Sequence, residues 1–215
     1  MPKQLNYSYI AIEGNIGAGK TTLSGMLAKD FDYRLILEQF TDNPFLPLFY
    51  KNPERYAFQV ELFFMTERYK QLQTYYASTD LFQQNTIADY FFLKTLLFAD
   101  SNLLTEEKRL FQQLFHTLNA RFPNPDILVY LHRPIPELKQ YIAHRGRAME
   151  TDIQDSYLEK VERAYFNFFK TKPAFPVLVL DMEGINFLSQ PDYYSQIVSL
   201  LQESYAPKVH FIGLA

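Results

Sequence analysis

The run Gly14-Asn15-Ile16-Gly17-Ala18-Gly19-Lys20-Thr21 fits G-x-x-x-x-G-K-[ST], the spacing of a loop that holds the phosphates of a nucleoside triphosphate. Most of that chemistry is carried by backbone. The glycines let the chain curl so that successive N–H groups face phosphate oxygens. A helix starting at the end of the loop adds the positive end of its dipole. Lys20 is placed to reach the outer phosphates as a point charge, and the Thr21 hydroxyl to ligate Mg²⁺. A glycine-rich turn that binds nothing is the competing reading; an apolar strand before the loop and a helix after it weigh against that.

Other residues have chemistry that fits such a cradle. Glu38 follows a short apolar run, where a carboxylate can accept the proton of a hydroxyl attacking the γ-phosphate; a solvated or Mg²⁺-linked carboxylate is the alternative. Asp89 ends another such run, where it could hold Mg²⁺ directly or through water. Arg145 and Arg147 flank Gly146, so two guanidinium groups could close over a transferring phosphoryl group; arginines at a helix C-terminus are the plain alternative. Gln59 offers an amide with donor and acceptor together, which matches a base edge. Phe45 and Phe92 could wall a base or fill a core. The four histidines show no metal-site spacing.

The elements that must position these groups can be read from the apolar pattern. Short apolar runs at 9–12, 34–37, 86–88, 127–131 and 177–180 read as strands. Helical patterns cover 20–31, 53–77, 90–99, 106–121, 136–144, 155–171 and 192–204, with Asn52 capping the long second one and Pro53 in its first turn. Asp42-Asn43-Pro44 and Pro47 read as a loop. Five strands alternating with helices specify a parallel sheet covered on both faces, with ligands beyond the carboxyl ends of the strands. Glu13, Glu38, Asp89 and Asp181 all fall at such ends. The expected fold is a single α/β domain over the whole chain, a three-layer α/β/α P-loop NTPase with a five-stranded parallel sheet and a short lid.

The opening Ile10 to Thr22 resembles that of the deoxynucleoside kinases, and four blocks follow in that family's order: Glu38, Pro53 to Gln59, Asp89, and Arg145-Gly146-Arg147 with Glu150. The resemblance covers nearly the whole chain. It implies a nucleoside-monophosphate-kinase type of fold, ATP and Mg²⁺ as cofactors, and transfer to the 5′-hydroxyl of a deoxynucleoside in nucleotide salvage. It implies that Gly14 to Thr22 cradle the phosphates, Gln59 reads the base and Tyr50 contacts the sugar 3′-hydroxyl. Arg145 and Arg147 become the lid, with Glu150 near metal or substrate, and Asn186 and Phe187 sit in the loop that holds adenine. Tyr90 and Phe91 depart from the family's Glu/Asp-Arg-Ser motif, so a cation is missing from its usual place; Lys94, or more remotely Arg68, could supply it. Thr66 is small beside what the pyrimidine-specific branches carry, which favours deoxyadenosine or deoxyguanosine. A homodimer is implied by resemblance alone.

Composition narrows the partners. The chain has 215 residues, 47% hydrophobic and 21% charged, which suits one globular domain. A net charge of −3 gives no basic excess for a nucleic-acid polymer. There is no cysteine, which removes thiolate chemistry and Cys-based metal sites. The first nine residues lack the apolar core of a secretory signal and no run is long enough to span a membrane, so the expectation is a cytoplasmic protein. Two other readings compete: a thymidylate-type nucleoside monophosphate kinase, which needs further cations for its acceptor phosphate, and a protein that binds nucleotide with little or no turnover. The absence of an Asn-Lys-x-Asp motif argues against a GTPase.

Overall fold

The computed structural model describes residues 4–38, 43–77, 85–147, 150 and 153–214. Asp42, expected in a loop, lies outside them. The sheet has six parallel strands in the order β2-β3-β1-β4-β5-β6: β1 Tyr9–Gly14, β2 Arg34–Ile36, β3 Thr86–Ala88, β4 Ile127–His132, β5 Val177–Asp181 and β6 Val209–Gly213. Period-2 alternation divides the strand side chains between two faces. Ile10, Ile12, Val129 and Leu131 pack with α1 (Lys20–Phe31), α6 (Ile135–Arg145) and α8 (Pro191–Leu201). Ala11, Leu128 and Tyr130 pack on the other side with α7 (Asp155–Phe169). On that side, beyond β3, a third cluster joins α2 (Leu46–Lys51), α3 (Pro53–Ala77), α4 (Lys94–Asn102) and α5 (Thr105–Asn119).

The expected sheet lacked its sixth strand. β6 is an edge strand with Val209, His210 and Ile212 half-buried and Phe211 exposed, so it presents no buried apolar run. The sequence pattern places Pro47 in a loop, whereas in the structure Pro47 occupies the second position of α2, where its missing N–H costs nothing. Helix α4 begins at Lys94 rather than at residue 90. Residues 90 and 91 are irregular and 92 and 93 form a turn, with the Phe91 N–H donating to Glu13 Oε1 at 2.7 Å. Asn52 does cap α3: its Oδ1 accepts from the Arg55 N–H at 3.3 Å. No helix among the described residues is long and apolar enough to cross a membrane.

Candidate active site

The glycine-rich loop joins β1 to α1 at the carboxyl edge of the sheet. Gly17 has φ +84°, and a Cβ there would lie 2.8 Å from the Leu138 carbonyl oxygen. Neither the left-handed backbone nor the approach to α6 tolerates a side chain. Gly14 and Gly19 also have positive φ, Ala18 is buried beneath the loop, and Ile16 lines the cleft above it. Asn15 is buried and structural: its Nδ2 donates to the Leu158 carbonyl at 2.8 Å and its Oδ1 accepts from the Ile16 N–H at 2.9 Å, fastening the loop to α7. Lys20 turns its ammonium back onto the Gly14 and Asn15 carbonyls at 2.9 and 2.8 Å. Burial first, and Lys94 next, pull Lys20 down to about 8; the negative charge of a bound phosphate would oppose both effects. Thr22 is exposed beside Thr21 at the start of α1.

The sheet order brings three strand-end acids together. Thr21 Oγ1 donates to Asp89 Oδ2 at 2.6 Å, and Asp89 Oδ1 accepts from the Glu38 N–H at 2.5 Å. A hydroxyl and a carboxylate side by side are hard oxygen donors. No group of three or more His, Cys, Asp or Glu side chains suited to a metal occurs among the described residues. That donor set fits Mg²⁺, which keeps waters and borrows phosphate oxygens rather than sitting in a protein cage. Glu13 lies deeper, accepting from Tyr165 O–H at 2.7 Å, and burial raises its pKa. Asp181 is two strands away from β1 and exposed, with its Oδ1 accepting from the Glu183 N–H. It takes no part in this cluster.

Glu38 is buried and doubly paired. Arg68 Nε donates to Oε1 at 2.8 Å, and Lys94 Nζ to Oε2 at 2.6 Å. Burial alone would raise its pKa; Lys94 and then Arg68 outweigh that and hold it at about 2. Lys94, whose place in the sequence left its role open, thus stands at the carboxylate that the expected chemistry needs. Arg68, placed further off by sequence, reaches the same carboxylate from α3 and donates to Thr95 Oγ1 as well.

Above this cluster a cleft of about 590 Å³, partly open to solvent, is lined by Ile16 and Lys20 from the loop, Leu46 and Tyr50 from α2, and Val60, Glu61, Phe64 and Arg68 from α3. Lys94 and Phe98 of α4, Tyr157 of α7, Arg145 and Glu150 complete it. Tyr50 is half-buried and meets Tyr157 edge-on, with ring centroids 6.1 Å apart.

Two expectations about the base are corrected. Gln59 is exposed and does not line the cleft. Two residues on a helix differ by about 200°, so an α3 that turns Glu61 inward must turn Gln59 outward. Thr66 is exposed too, its hydroxyl donating to the Leu62 carbonyl, so its size says nothing about the base. Phe92 is a core residue stacked on Phe115, and Phe45 is absent from the cleft wall. Phe64 and Phe98 are the phenylalanines there. The signal that could have found Glu61 and Arg68 is the buried stripe Ala57, Val60, Met65, Leu72, whose helical period includes both.

At the mouth, Glu150 holds both expected lid arginines: Arg145 Nη2 bonds Oε2, and Arg147 Nη1 lies 3.4 Å from Oε1. The arginine side chains are about one-third exposed. Gly146 caps α6 at φ +68°, so the chain turns sharply between them. Phe187 is buried and comes within 3.4 Å of where a Gly19 Cβ would be, at the back of the loop. Asn186 is exposed and spends its Oδ1 on the Leu188 N–H, organising its own turn.

A model of the family described as deoxynucleoside kinase matches residues 10–205. The chain is 36% identical over 202 residues to a deoxyguanosine kinase of Bacillus subtilis, covering 91% of this chain and 96% of that one. It is 31% identical to the deoxyadenosine/deoxycytidine kinase of the same organism, covering 89% and 90%. Among solved structures, deoxyadenosine kinase from M. mycoides with bound dCTP superposes with a TM-score of 0.75 at 26% identity, over 89% of this chain and 97% of that one.

Proposed function

The chain belongs to the deoxynucleoside kinase family, phosphotransferases acting on a nucleoside hydroxyl, and on that premise we propose that it transfers the γ-phosphoryl group of ATP to the 5′-hydroxyl of a purine deoxynucleoside, in nucleotide salvage in the cytoplasm. The observation that carries the reading is the cleft itself: one space lined by Lys20 of the phosphate loop and by the two cations that hold Glu38.

Gly14 to Thr22 bind the triphosphate through backbone N–H groups, and Lys20 leaves its two carbonyls for the outer phosphates. Thr21 and Asp89 would hold Mg²⁺, which supplies neutralisation of charge on the β- and γ-phosphates. Tyr50 and the aromatic wall seat the nucleoside, and Glu38 takes the hydrogen bond of its 5′-hydroxyl. The 5′ oxygen bonds to the γ-phosphorus as the bond to the β–γ bridging oxygen breaks, and the hydroxyl proton passes to Glu38 and then to water. A carboxylate held at about 2 is a weak proton sink. It suffices in a loose transition state, where the hydroxyl gives up its proton late. If Lys94 swings from Glu38 to the phosphoryl oxygens, it removes its own lowering effect and makes the carboxylate more basic as transfer proceeds. Arg145 and Arg147 exchange Glu150 for the transferring group, while Asn186 and Phe187 border the adenine. A homodimer, which light scattering would reveal, completes the reading.

A coupled assay of ADP release with the four deoxynucleosides, their ribose counterparts and the deoxynucleoside monophosphates tests it. Turnover is expected with a purine deoxynucleoside. Turnover with monophosphates alone would replace the reading with a monophosphate kinase, and none at all would leave a binding protein.

A further inference from the structure

Phosphoryl transfer as described leaves one cleft residue without a task. Glu61 is 2% exposed and stands in the cleft wall on the same face of α3 as Phe64 and Arg68. Its Oε1 accepts from Asn102 Nδ2 at 2.7 Å, and among the described residues no donor is hydrogen-bonded to Oε2. The other groups facing it are Arg68 on its own helix, Lys94 on α4, Glu38 beyond β2, Tyr50 on α2 and Tyr157 on α7. A buried carboxylate with a single neutral hydrogen bond is costly unless something else brings donors to it. Glu61 lines the same cleft as Lys20 and Tyr50, and with the phosphates and the sugar assigned to those two, the base is the part of the substrate left to bring donors to it.

The four bases differ in what they can bring. Guanine alone presents two adjacent N–H donors on its Watson–Crick edge, N1–H and the N2 amino group. Adenine and cytosine present one amino group beside a ring-nitrogen lone pair, and thymine one N–H between two carbonyls. Each of those three sets a lone pair against the second carboxylate oxygen. Each oxygen of a carboxylate accepts more than one bond, so Asn102 does not block Oε1. Resting on the kinase reading above, we infer that Glu61 selects the base: its carboxylate takes N1–H and N2–H of guanine, and deoxyguanosine is favoured over deoxyadenosine. Burial raises Glu61 to about 7, against the lowering by Asn102 and Arg68. The ionised form fits guanine. The protonated form, a donor beside an acceptor, fits adenine at N1 and N6.

The test is kcat/KM for deoxyguanosine, deoxyadenosine and deoxyinosine at saturating ATP, in the wild-type chain and Glu61→Gln. At pH 8, where Glu61 is ionised, the wild type is expected to prefer deoxyguanosine. It should use deoxyinosine, which lacks the N2 amino group, roughly tenfold or more less well. Its ratio of deoxyguanosine to deoxyadenosine should rise as pH is raised through 7; a ratio cancels the titration of groups, such as Lys20, that serve both substrates. Glu61→Gln should move that ratio towards deoxyadenosine by roughly 100-fold and leave the KM for ATP unchanged. Should the variant not fold, the deoxyinosine comparison stands on the wild type alone. An active wild type that at pH 8 treats deoxyinosine and deoxyguanosine alike, or that prefers deoxyadenosine there, overturns the assignment of Glu61 and leaves the kinase reading intact. A wild type that phosphorylates no deoxynucleoside overturns both.

Discussion

Glu61 carries its charge at a cost to the fold. Its folded pKa of about 7 lies above the 4.5 of an ordinary carboxyl, so the folded chain keeps a proton that the unfolded chain releases. That contribution to stability is full below pH 4.5 and is lost as pH rises through 7. Glu61→Gln should therefore be more stable than the wild type at pH 8, on the order of 1–3 kcal/mol, with the gap closing towards pH 5. Urea titrations at the two pH values measure this. Glu38 has the opposite sign: its pKa is held at about 2 by Lys94 and Arg68 against burial. Lys94→Ala should lower kcat roughly 100- to 1,000-fold by removing a cation from the transferring group. It should also move the acid limb of the kcat–pH profile upward, because Glu38 then protonates at higher pH. These residues were unequally legible. Glu38, Asp89 and Thr21 followed from strand ends and a motif, features local in sequence. Glu61 did not, because residue chemistry alone makes Gln59 the better base reader, and only the rotational phase of α3 separates the two.

At the scale of elements, the phosphate loop depends on how closely β1, α1 and α6 approach. Gly17→Ala puts a methyl group against the Leu138 carbonyl in a left-handed backbone, a conformation that costs about 1–2 kcal/mol even without the contact. The KM for ATP is expected to rise more than roughly tenfold, with nucleoside KM changed far less; initial-rate kinetics with each substrate varied decide it. The same elements show where sequence runs out. Buried parallel strands such as β4 and β5 announce themselves as unbroken apolar runs. The edge strand β6, with one neighbour and Phe211 turned to solvent, does not. Pro47 reads as a breaker until its position within the first turn of α2 is known.

In the whole molecule, the strand order β2-β3-β1 carries Glu38, Asp89 and the loop to one edge of the sheet, and α2, α3, α4 and α7 close the cleft over them. The alternation of strands and helices revealed that edge in advance; it did not reveal which helix faces would wall it. Binding of either substrate should therefore stabilise the whole fold. ATP at about 100 times its dissociation constant adds about 2.7 kcal/mol if it binds only the folded chain. The central claim is that Glu38 receives the hydroxyl that attacks the phosphate. Its most direct test is the single-turnover rate of γ-phosphoryl transfer from labelled ATP to the 5′-hydroxyl of deoxyguanosine or deoxyadenosine, in the wild type and in Glu38→Gln. A loss of roughly 100- to 10,000-fold in that rate, with the thermal stabilisation by ATP intact, is the predicted result. A variant that transfers phosphate at the wild-type rate would contradict it.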